Sequence, residues 1–316
     1  MPPDQVLGFL TAPWPRFLTA SDIALNVAAY LPLGATLYVV LRPPLAPAIA
    51  LVAATILAST LSLTLESVQM FLPTRIASNV DLMMNAAGAA CGAALALVFT
   101  LWHNPLAAWR ARVVRADTLG DCGMLVVAWW VVIQFHASTL AGASGNLREA
   151  LGIAPLFAFS SQAYQLAEGA VVALVVLALA LTVSLLMQSR RHAFYATGAA
   201  LALAAAAKSV AALFLARATS SWQWLTPGVE AGVAIALGVF ALTIWFAPAL
   251  RAVLAIACIV GATFIVNVTP DNPYQAVPAY LAAMPVTHLT NFGNIVRILA
   301  QCWPFAAVAL LIEIGR

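Results

Sequence analysis

Apolar residues run along this 316-residue chain in blocks far longer than one face of a soluble helix requires. The stretch "AVVALVVLALALTVSLLM" (170–187) is broken only by one threonine and one serine. Blocks of about 20 such residues read as membrane-crossing helices, which satisfy their own backbone groups in lipid. Nine blocks of this kind are expected, near 22–41, 45–67, 80–101, 121–140, 166–187, 193–216, 228–247, 249–267 and 296–314. A β-barrel would instead need short alternating segments. The expected fold is therefore all-α, a polytopic transmembrane helical bundle of about nine spans within a range of 8–10.

One polar interruption stands out. "LESVQMFLPTRIASNVDLMMNAAG" (65–88) gathers a glutamate, a glutamine, an arginine, an aspartate and two asparagines in an otherwise greasy region. Glu66 lies near the end of the second block, with Gln69 three residues on and on the same helical face. Asp81 opens the third block, followed by Asn85 and then by Gly88 and Gly92 along one stripe. The first block carries Asp22, Asn26 and Tyr30 at i, i+4 and i+8. Alternating spans bring all of these to one membrane depth, with Arg75 in the turn above them.

Cost argues that they face one another. A charged side chain at mid-span costs on the order of 2.5–3.5 kcal/mol, and lone amides add more. Mutual pairing removes much of that cost, and glycines let helices approach closely. Helix capping alone also accounts for Asp22 and Asp81, since a carboxylate suits a helix start. It does not account for Glu66, which sits at a helix end where the macrodipole disfavours an anion. A structural lock among three helices, without any ligand, stays open.

Composition closes off the soluble classes. Hydrophobic residues make up 64% and charged residues 8%, where a soluble domain needs about a quarter charged. The formal net charge of +3 is small for this length and gives no footing for nucleic acid. Arginines set an expected orientation once "WRARVVRAD" (109–117) is placed in the cytoplasm. Arg42, Arg110, Arg112, Arg115, Arg190, Arg191, Arg251 and Arg316 then face inward, and Arg16, Arg75, Arg148, Arg217 and Arg297 outward. The N-terminus is expected outside and the C-terminus inside. No basic region precedes the first apolar stretch, so no cleaved signal peptide is expected.

Two connections, 141–165 and 268–295, are too apolar for free loops and too rich in Pro and Gly for spans. Interfacial or re-entrant segments on the outer side fit them. The single lysine, Lys208, falls inside an apolar block and either snorkels outward or pairs with Glu168 or Glu230 as a second polar site. The four cysteines are scattered, and His103, His136, His192 and His288 lack companions at ligand spacing. No metal site and no cofactor are expected.

The polar motifs resemble a known family. "DIALNVAAYLPLG" (22–34), "SLTLESVQMFLPTR" (62–75) and "NVDLMMNAAGAACG" (79–92) look like the VanZ-like membrane proteins, whose pattern is matched by Asp22, Asn26, Tyr30, Pro32, Gly34, Glu66, Gln69, Arg75, Asp81, Asn85 and Gly88. Tyr30 stands where a phenylalanine is common. The resemblance covers roughly 15–105, a three-span unit, and leaves 106–316 as a bundle of about six spans that it does not describe. It implies a bacterial inner-membrane protein of the cell envelope, with some members linked to reduced susceptibility to glycopeptide antibiotics such as teicoplanin.

Three functions are open on this reading. The cluster binds or helps translocate a lipid-linked phosphate or glycan head group, with Arg75 making the charge-assisted contact. Alternatively, Glu66 and Asp81 are an acid/base pair of an intramembrane enzyme acting on such a lipid. In the third reading the cluster is only a scaffold. No activated nucleophile is legible, which favours binding over catalysis.

Overall fold

The computed structural model describes residues 7–14, 20–71, 77–135, 142–215, 220–272 and 288–316. Among the described residues ten α-helices follow a short 3₁₀ turn at Gly8–Thr11. They are α1 (Ala20–Leu41), α2 (Pro47–Gln69), α3 (Asn79–Val113), α4 (Thr118–Ile133), α5 (Arg148–Leu151), α6 (Ser161–Leu186), α7 (Arg190–Val210), α8 (Pro227–Thr243), α9 (Pro248–Val268) and α10 (His288–Gly315). Seven are long and apolar enough to cross a membrane, and α4 and α8 are shorter apolar helices. Each of the nine expected blocks holds a helix among its described residues.

The helix starts follow local chemistry. Asp117, Ser160, Ser189 and Thr226 each cap a helix by accepting a backbone N–H through the side chain. Pro47, Pro227 and Pro248 occupy first helical positions, where the missing N–H costs nothing. The Arg115 guanidinium beside Asp117 holds that carboxyl below the usual carboxylate range. The basic stretch expected as a loop is in fact helical through Val113, because Ala, Leu and Arg all favour helix. At 35 residues α3 is about 50 Å long, well beyond an apolar core of about 30 Å.

The chain divides into two compact units, Met1–Ala108 with Met284–Phe292, and Trp109–Ala283 with Gly293–Arg316. In the first, α1 and α3 meet along small residues. A Cβ added at Gly34 would overlap the carbonyl of Ala89, one at Gly88 that of Val27, and one at Gly92 that of Leu31. Backbones touch there because no side chain intervenes, the usual device for helix association in lipid. Tyr38, Ala50, Ala54, Ala93 and Ala96 form the core toward the other end of these helices.

The second unit is organised around α6, whose most apolar window is 67% buried, against 17% for the corresponding window of α1. It packs against α8 through glycines: a Cβ on Gly232 would lie 2.6 Å from the carbonyl of Gly169. Arg251 of α9 donates to Ser184 Oγ of α6 at 2.8 Å. Residues 142–147 are pinned rather than free. Asn267 donates to Gly145 O at 2.7 Å and accepts from Leu147 N at 2.8 Å, and Gly145 N reaches Ala300 O at 2.8 Å. Gly142 and Gly145, both at φ +75°, give this segment turns that other residues rarely adopt. Of the 268–295 connection, 273–287 lie outside the described residues.

Arg148, expected on the outward side within the 141–165 connection, is buried and donates to Thr269 O while pairing with Asp271. Asp271 is 83% exposed, so the ion pair contributes little and the buried bond to Thr269 carries the effect. Arg148→Met should cost about 1–3 kcal/mol. Faster limited proteolysis within 142–156 would report it.

Candidate functional site

The polar residues of α1, α2 and α3 meet inside the first unit. Asn26 Nδ2 of α1 donates to Asp81 Oδ1 of α3 at 2.7 Å, with both residues buried. Glu66, 3% exposed near the end of α2, accepts from the Ser78 backbone N–H through Oε2 at 3.1 Å. Asn85 Nδ2 of α3 donates to Ser62 Oγ of α2 at 2.9 Å. The half-buried Tyr30 of α1 lies close to the same serine and in the field of Glu66.

The local sequence explains this division of labour. Ser78 precedes α3, and its Oγ accepts from Asp81 N–H at 3.4 Å, the first half of a capping box. In the usual box the acid at the third helical position returns to the cap's own N–H. Here that N–H goes to Glu66, and Asp81 reaches across to Asn26. The helix start of α3 is thus tied to both neighbouring helices. Glu66 lies at a helix end that the macrodipole makes unfavourable, and a backbone donor from the next helix offsets that.

Ser62 and Ser78 were not singled out from the sequence. Ser62 stands at i−4 from Glu66, a signal that was present. It was masked because α2 carries five other hydroxyls, at Thr55, Ser59, Thr60, Thr64 and Ser67, each bonded back to the carbonyl four residues earlier. Ser78 with Asp81 has the Ser-x-x-Asp spacing of a capping box, a legible but common pattern.

One acceptor inside the cluster is unspent. Asn85 Oδ1 is buried and has no hydrogen-bond partner, although its amide nitrogen is engaged. Such an oxygen costs about 1–3 kcal/mol unless a donor reaches it. Other expected members cannot be placed by side chain. Asp22 lies in α1 and Gln69 ends α2, but their side chains, like all of Arg75, lie outside the described residues.

In the second unit Lys208 of α7 is buried, and the carboxylate it couples to is Glu168 of α6. Thr226, the cap of α8, donates to Glu168 Oε2. Glu230 stays exposed on the first turn of α8. Among the described residues no group of three or more His, Cys, Asp or Glu side chains could hold a metal ion.

Fold and composition together define a multi-pass, α-helical membrane protein whose first three spans share a buried polar cluster. Those three spans are similar to the VanZ/LLP1 family, whose model matches residues 4–100, the N-terminal third of the chain. No curated protein and no solved structure matches the chain.

Proposed function

We propose that the α1–α3 cluster binds the polar head group of a lipid-linked envelope precursor, a phosphate or glycan, at the outer face of the bacterial inner membrane. The observation that carries this reading is Asn85 Oδ1, a buried acceptor awaiting a donor within a network that otherwise satisfies itself. A sugar or glycerol hydroxyl supplies that donor. Arg75, between α2 and α3 in the sequence, supplies the charge-assisted contact to phosphate, and the flanking carboxylates orient it. The arginine distribution along the chain supports an outward-facing site, with the N-terminus outside and the C-terminus inside. The family resemblance extends the reading to glycopeptide resistance through altered handling of such a precursor.

A second reading, a helix lock without ligand, is favoured by the Asn26–Asp81 bond, which joins α1 to α3 unaided. Mass spectrometry of co-purifying lipids separates the two. With wild-type protein, a discrete lipid should be retained, and Arg75→Ala should retain roughly tenfold less while melting normally, as loss of a charge-assisted bond implies. If Arg75→Ala carries the same lipids as wild type, the head-group reading falls. Glu66→Gln keeps shape while removing charge, so unchanged function in cells would exclude an acid/base role for Glu66.

A further inference from the structure

Three connections of the second unit lie together at one end of it. The turn after α3 is bonded to the turn after α6, through Arg115 N–H on Leu186 O and Gln188 N–H on Val113 O, both at 2.9 Å. The Gln188 side-chain amide reaches Val114 O at 3.0 Å as well. The turn between α8 and α9 joins them, with the Arg190 guanidinium 4.1 Å from the ring centre of Trp245, and Arg251 donating to Ser184 near the end of α6. The last turn of α10 arrives here too, since a Cβ on Gly315 would lie 3.5 Å from that of Ala252 in α9.

Charge at this end is one-sided. Its side-chain carboxylates are each held by an arginine: Asp117 by Arg115, Asp121 by Arg110 and Glu313 by Arg316. The unit's other acidic residues belong to the opposite end. Glu168 and Glu230 lie toward the starts of α6 and α8, Asp271 follows α9, and Glu149 is in α5, whose neighbours bond to Asn267 and Thr269. Among the described residues Arg112, Arg190, Arg191 and Arg251 therefore pair with no carboxylate, and neither α7 nor α9 has an acidic residue in its first turn. Arg190 is exposed, and its side chain makes no hydrogen bond among the described residues. Contact with a ring face uses its charge and leaves its N–H donors for an acceptor.

Depth selects the ligand class. Trp245 is 68% exposed and Trp109 60%, and membrane proteins place such amphipathic rings at head-group level. A guanidinium over Trp245 then lies among lipid head groups, where arginine binds phosphate by charge-assisted bonds. A free anion would meet the charge but gain nothing from Trp245 and the exposed Phe246 beside it. We propose that this end of the second unit holds an anionic phospholipid, with its phosphate on Arg190 and its acyl chains against Trp245 and Phe246. Arg112, Arg191 and Arg251 add attraction from the same end. This site is separate from the α1–α3 cluster and does not rest on the head-group reading.

The test is thermal melting of the full-length protein in a neutral maltoside detergent, titrated with phosphatidylglycerol. An Arg75→Ala background removes the phosphate contact proposed for the α1–α3 cluster. Stability should rise saturably, and phosphatidylcholine, whose choline cancels the phosphate charge, should need about tenfold more for the same gain. Inorganic phosphate at matched concentration should give no saturable gain. Arg190→Gln should raise the phosphatidylglycerol concentration at half effect about tenfold, and adding Arg112→Gln should raise it further. Arg316→Gln removes the same charge from an arginine already paired with Glu313, and should change it by no more than about twofold. Equal stabilisation by phosphatidylcholine or by inorganic phosphate would overturn the proposal. So would an unchanged half effect in Arg190→Gln, or an equal loss in Arg190→Gln and Arg316→Gln, the mark of a diffuse field rather than a site.

Discussion

Gly92→Ala will unfold or strongly destabilise the first three helices, although a single methyl is all it adds. The new Cβ would overlap the carbonyl of Leu31 on α1, which is backbone and cannot rotate aside. Relief requires α1 and α3 to separate, and their separation breaks Asn26–Asp81 and the matching contacts at Gly88 and Gly34. Overpacking of a close-packed site costs about 1–3 kcal/mol, and this overlap belongs at the top of that range or above. Gly198→Ala is the control. No atom lies within 4 Å of a Cβ there, so the methyl meets nothing and helix propensity favours it by up to about 1 kcal/mol. Thermal melting in detergent should therefore move in opposite directions for the two glycine-to-alanine changes. Equal shifts would show that the α1–α3 seam is not the close contact described.

The same seam shows what a sequence can disclose. The cost of burying charge made it legible that Asn26, Glu66, Asp81 and Asn85 avoid lipid, and helix periodicity put them at one depth. Partner identity was not legible, because periodicity fixes depth and face but not which donor meets which acceptor. Ser62 illustrates the point. A hydroxyl in a helix is satisfied cheaply by its own backbone, as at Thr55 and Ser59, so its sequence position carries no sign that it accepts from Asn85. Arg148 shows the complementary case. Its sequence places it in a connection too apolar for a free loop, and only the fold of 142–156 against α9 and α10 supplies the carbonyl that lets a guanidinium be buried. α8 ends at Thr243, several residues short of the apolar block 228–247, because apolar composition continues past the last helical turn.

Lys208→Met should be among the most damaging single changes in the second unit, and a second substitution should largely repair it. Lys208 and Glu168 are both about nineteen-twentieths buried, and each lies in the other's field. Their attraction offsets, at best, the cost of taking both from water, so the pair adds little net stability. Removing the lysine alone leaves a buried carboxylate with Thr226 as its hydroxyl donor and without its cation. Losses of about 3–5 kcal/mol are typical when one partner of a buried pair is removed. Glu168→Gln alone strands the ammonium in the same way. The double variant, Lys208→Met with Glu168→Gln, restores neutrality while the amide still accepts from Thr226, and should recover most of the loss. A coupling of at least about 2 kcal/mol between the two sites, from melting or chemical unfolding of all four proteins, is the expected result. Additive losses would mean that Lys208 draws its stability from another group.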